Sequence, residues 1–71
     1  MQVRFVGNTA SSLANSLMLI DIIEGVINDR IDTDEYYDIM VTVDDKYLPT
    51  IMQHTTSIDD TPSGKVYSID W

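Results

Sequence analysis

The 71-residue sequence predicts an α+β domain: a mainly antiparallel sheet covered by one helix, in the order β-α-β-β-β. Three observations lead there. Period-two apolar alternation, the mark of a half-buried strand, occurs at residues 1–6, 35–43 and 65–71. One stretch, residues 10–27, is apolar on a helical period and follows several residues that can cap a helix. Short turn-forming clusters divide the later segments, which suits antiparallel pairing. A chain this short builds one core, so residues 1–71 form a single domain.

Each element has its own signal. Residues 1–6 set Met1, Val3 and Phe5 against Gln2, Arg4 and Val6, and stop at Gly7. Asn8, Thr9, Ser11 and Ser12 then offer oxygens to the unpaired amides of a first helical turn. A helix is expected from Thr9 or Ala10 to about Ile27. On its projection Leu13, Leu17, Leu19, Ile20, Ile22, Ile23, Val26 and Ile27 cover well over half the circumference, whereas one sheet needs a stripe of about 100°. Two explanations stay open: a second apolar partner, which makes the chain a homo-oligomer through this helix, or curved strands that wrap the helix within one chain. Gly25 lowers helix propensity by roughly 1 kcal/mol relative to alanine, so close packing is expected there.

Residues 35–43 read as a strand with Tyr37, Ile39, Val41 and Val43 facing inward. Asp44–Lys46 reads as a tight turn into a strand over residues 47–56, placed at an edge because Pro49 has no ladder donor. Asp59–Gly64 supplies the Pro and Gly of a turn, and Lys65–Trp71 closes the sheet.

Twelve acidic residues against four basic ones give a net charge of −8. Direct binding to nucleic acid or an anionic membrane needs positive charge and is disfavoured. Residues 21–45 alone carry nine acids and Arg30, a net −8, while residues 1–20 carry only Arg4. The longest apolar-rich stretch, residues 17–27, contains Asp21 and Glu24 and is too short to span a bilayer. The lack of cysteine and of a visible secretory leader leads to the expectation of a cytoplasmic protein.

No catalytic motif is present, so a non-enzymatic role without cofactors is expected. An EF-hand calcium loop needs glycine at its sixth position and glutamate at its twelfth. Counted from Asp32 these are Tyr37 and Val43, and from Asp34 they are Ile39 and Asp45. No dedicated metal site follows. His54 is the only histidine and no G-x-S-x-G elbow accompanies it. Ser63-Gly64-Lys65 lacks the earlier glycine and following Ser/Thr of a phosphate loop.

Two candidate sites survive. If residues 32–44 are extended, Asp32, Asp34, Tyr36, Asp38, Met40 and Asp44 share one face, with the core on the other. Like charges about 6.7 Å apart along that face repel by only ~0.6 kcal/mol in water, which an ordinary solvated surface tolerates. Tyr36 and Met40 among the carboxylates favour a protein interface. This reading makes the chain an inhibitor or regulator that docks on a basic, nucleic-acid-binding protein surface. In size and charge it is similar to small acidic inhibitors of viruses and mobile elements, with no motif matched.

The alternative site is Asn8, Thr9, Ser11 and Ser12, where a helix N-terminus can hold a phosphorylated small molecule or nucleotide, although ordinary capping uses the same residues. A third reading is a structural assembly subunit.

Overall fold

The computed structural model describes all residues, Met1–Trp71. Five strands form one sheet: β1 (Gln2–Gly7), β2 (Val26–Asp32), β3 (Tyr37–Thr42), β4 (Ser57–Thr61) and β5 (Gly64–Asp70). Two α-helices, α1 (Ala10–Ile22) and α2 (Leu48–His54), provide the longer connections, and a 3-10 turn at Asp45–Tyr47 leads into α2. The spatial order is β2-β3-β1-β5-β4. Only the central β1–β5 pair is parallel, and every other pair is antiparallel. The chain is therefore an α+β domain with a mainly antiparallel sheet, as its patterning implies.

The core lies on one face of this sheet. Val3 and Phe5 of β1, Tyr37, Ile39 and Val41 of β3, and Ile69 of β5 meet Leu19, Ile20 and Ile23 from the α1 end and Ile51 of α2 in one buried cluster. The inward parity expected for residues 37–43 holds, including Val43 just beyond the strand. Buried within this layer, the Ser16 and Tyr37 hydroxyls share a hydrogen bond of 2.8 Å. Gly7 makes room for that pair, since a Cβ there would lie 2.5 Å from the Tyr37 oxygen.

Helix α1 begins as expected. Thr9 accepts the Ser12 amide at 3.0 Å, and the Ser12 hydroxyl oxygen accepts the Thr9 amide at 3.3 Å, a reciprocal cap. It ends at Ile22, earlier than the expected Ile27. Glu24 adopts a left-handed φ of 55°, its amide bonds to Asp21 O, and the Gly25 amide bonds to Ile20 O. This is a Schellman closure with glutamate where glycine is usual. Gly25 then passes so close to Val41 and Ile20 that a Cβ would overlap the Val41 methyl, which accounts for the glycine. Val26 and Ile27, both β-branched, pair with β3 instead. The apolar surplus attributed to the helix thus belongs in part to a strand, and Met18, Ile22, Val26 and Ile27 all stay exposed.

Two further segments differ from expectation. Residues 47–56 are largely α2, because Pro49 sits in the first helical turn, where a missing amide costs nothing. The Asp44 carboxylate caps the preceding 3-10 turn by accepting the Lys46 amide at 2.9 Å. Residues 57–61 form edge strand β4, so the turn contracts to Pro62-Ser63 before Gly64, whose φ of 118° suits glycine.

Candidate functional site

Helices cover one face of the sheet and leave the other bare. Cross-strand register assigns the bare face. Arg4 pairs with Met40 and with Ser68, Asp29 with Met40, Ile31 with Asp38, and Asp59 with Val66. Side chains from all five strands thus share this face, with aspartates from β2, β3, β4 and β5 and a single cation.

Arg4 stands at its centre. Its Nε donates to Asp38 Oδ1 at 3.0 Å and a terminal nitrogen donates to Asp38 Oδ2 at 2.6 Å, a bidentate pair. The hydrogen bonding to Asp38 raises the guanidinium pKa further, partial burial opposes this, and the charges of Asp38 and then Asp59 reinforce it. Arg4 is thereby committed within the chain. Asp29 uses one oxygen for the Arg30 amide, and neither Asp29 nor Asp59 belongs to any ion pair.

A cleft of about 330 Å³ opens here, lined by Arg4, Asp38, Met40 and Val66 from the three inner strands and by Asp29, Ile31, Asp59 and Thr61 from the two edge strands. Strands β2 and β4 lie at opposite edges, so the cleft draws its lining from the full width of the sheet. A second cleft of about 350 Å³ continues from Arg4 and Asp38 toward Tyr36, Asp70 and Trp71.

The six residues expected on one acidic ribbon are divided by this geometry. Asp38 and Met40 lie on the bare face, and Tyr36 reaches it at the rim of the second cleft. Asp32 does not. It pairs with Tyr37 on strand β2 and so faces the helical side. Asp34 occupies the β2–β3 turn, which Thr33 organises by accepting the Glu35 and Tyr36 amides. Asp44 lies past the far end of β3 as a cap. The extended run expected over 32–44 breaks because residues 33–36 form a hairpin turn.

The turn brings the two candidate sets together. Asn8 and Thr9 at the start of α1 line a cleft of about 230 Å³ with Asp32, Thr33, Asp34, Glu35 and Tyr36. An incoming phosphate would meet three carboxylates there, and Thr9 and Ser12 already satisfy each other. Ser11 and Ser12 do not line this cleft, and Ser12 is buried. No three acidic or histidine side chains converge to hold a metal ion.

Comparison with family models, curated proteins and solved structures gives no match to this chain.

Sequence reasoning missed Asp29, Ile31, Asp59 and Val66, the residues that complete the bare face. Their signals were present but short: V26-I-N-D-R-I-D32 carries three β-branched residues, and S57-I-D-D-T61 precedes P-S-G. Both were overshadowed, one by the helical apolar period before it and the other by Pro62.

Proposed function

We propose that this chain is a small non-enzymatic interaction protein, an inhibitor or regulator that docks the bare acidic face of its sheet on a basic, nucleic-acid-binding surface of a partner protein. One observation carries the reading. A five-stranded sheet face without any covering layer displays aspartates from four strands, and its only cation is already neutralised by Asp38. Ile31, Met40 and Val66 lie among the charges, the mixture of apolar contact and charge that protein interfaces use.

The mechanism follows from electrostatics. Carboxylates on a rigid sheet occupy the places of phosphates opposite Lys and Arg, the net charge of −8 accelerates encounter, and the apolar residues confer specificity once water is excluded. The natural polyanion and this chain then compete for one surface. The alternative, an oligomer holding a phosphorylated ligand or nucleotide at the α1 N-terminus, is opposed by the carboxylates that rim that position. Assembly through the exposed Met18, Ile22 and Trp71 remains compatible with the acidic face acting elsewhere.

The test is affinity capture from the native host at low salt, run in parallel with Asp29→Lys/Asp59→Lys. The expected result is a basic nucleic-acid-binding protein that salt or added nucleic acid releases and that the variant fails to hold. Retention of the same protein by the variant, or in high salt, would refute the proposal.

A further inference from the structure

We infer that the cleft on the bare sheet face receives an arginine side chain of the basic partner, its stem over Ile31, Met40 and Val66 and its guanidinium between the Asp29 and Asp59 walls. The inference rests on the proposed docking of this face and names what it grips.

Four features of the cleft support that occupant. Its volume of about 330 Å³ is at the lower end of the range that holds small organic groups, enough for one long side chain. Ile31, Met40 and Val66 give its lining apolar surface beside the Arg4–Asp38 pair, which suits the methylene stem of a long cationic residue. Its free charges are carboxylates without ion-pair partners, contributed by the two opposite edges of the sheet. Finally, the face already binds one guanidinium: Arg4 lies flat enough against Asp38 to make both parallel hydrogen bonds. Arg4 is engaged by Asp38 and makes no ion pair with Asp29 or Asp59, while its charge still acts on Asp59 across the face.

Arginine fits better than lysine for a geometric reason. A guanidinium presents five donors in a rigid planar fork and is weakly hydrated, so it can address carboxylates on two sides while its stem lies against apolar side chains. An ammonium is a compact, strongly hydrated point charge. A phosphate or nucleotide is excluded by the sign of the walls.

The test is an NMR amide titration of the whole chain at low ionic strength with N-acetyl-arginine amide, with N-acetyl-lysine amide as comparator. The expected result is that the largest shifts fall on Arg4, Asp29, Ile31, Met40, Asp59 and Val66, and that arginine binds at least threefold more tightly than lysine. Asp29→Asn/Asp59→Asn should weaken arginine at least fivefold while its spectrum stays that of a folded chain, both residues being exposed. Shifts concentrated at Asp32–Tyr36, equal binding of the two amides, or an unchanged affinity in the double variant would each overturn the inference. A basic partner whose capture is abolished by Asp29→Lys/Asp59→Lys would leave the broader proposal standing even if the two amides bound equally and the cleft assignment fell. A partner lacking basic character would do the reverse if the arginine shifts still mapped to the cleft.

Discussion

Arg4→Met should lower stability and raise affinity for a basic partner. The substitution keeps an unbranched stem on the bare face and deletes the cation. Asp38, whose side chain is only 22% exposed, then loses two charge-assisted hydrogen bonds of 3.0 and 2.6 Å. Hydrogen bonds to charged groups contribute about 1.5–3 kcal/mol when well shielded. Because the Arg4 side chain is 44% exposed, solvent screening reduces this to about 1 kcal/mol. Urea unfolding should show a lower midpoint with an unchanged slope, and a double-mutant cycle with Asp38→Asn should recover a coupling near that value. Binding moves the other way. A cation about 7 Å from an incoming guanidinium repels it by ~0.6 kcal/mol in water, so its removal should tighten binding about threefold, less in high salt. Isothermal titration with the captured partner at two salt concentrations reads this directly. Weaker binding of Arg4→Met would mean that Arg4 itself contacts an acidic group of the partner, and the charge argument for the face would fail.

Other expectations follow from the fold. Gly25→Ala should destabilise the chain by about 1–3 kcal/mol, since the added methyl overlaps Val41; chemical denaturation showing no loss would contradict the packing of α1 on β3. Ser16→Ala should cost about 1–3 kcal/mol by leaving the buried Tyr37 hydroxyl unpaired, while Ser16→Ala/Tyr37→Phe should cost less than the sum of the two single changes; strict additivity in unfolding free energies would count against the bond. Tyr47 donates to the Glu24 carboxylate at 2.7 Å, and that bond, with desolvation and the charges of Glu24 and Asp44 behind it, pushes the phenol pKa up. A raised folded value means the stabilisation is complete below the unfolded phenol value and disappears as pH rises through the folded one. Ultraviolet titration of Glu24→Gln should therefore show the Tyr47 step at lower pH, and an unmoved step would refute the pairing.

Strong local patterns were legible in the sequence, and long-range pairing was not. The alternation of Val3 and Phe5, and of Tyr37, Ile39 and Val41, declared the central strands because each has one fully buried face. Thr9 and Ser12 declared the helix start through their own side chains. The helix end was hidden, because Glu24 takes a left-handed conformation that its residue type does not advertise and the apolar run continues into Val26 and Ile27. Both edge strands were missed for one reason: β2 and β4 are exposed along their whole length, so neither displays a buried parity. The candidate face was correspondingly half visible. Asp38 and Met40 could be placed from β3 alone, whereas Asp29 and Asp59 reach the same cleft only through the pairing of distant segments. The acidic ribbon failed at Asp32 and Asp34 because Thr33 folds the chain back by accepting amides two and three residues on, a side-chain turn that period-two reasoning does not register.

The most direct test of the central claim compares two double variants of equal charge change. Asp29→Asn/Asp59→Asn and Asp34→Asn/Glu35→Gln each remove two negative charges, the first from the bare sheet face and the second from the hairpin turn. Affinity for the captured basic partner should fall at least tenfold for the first and less than threefold for the second. Equal losses would show that net charge alone drives association, and a larger loss at the hairpin would place recognition there rather than on the sheet.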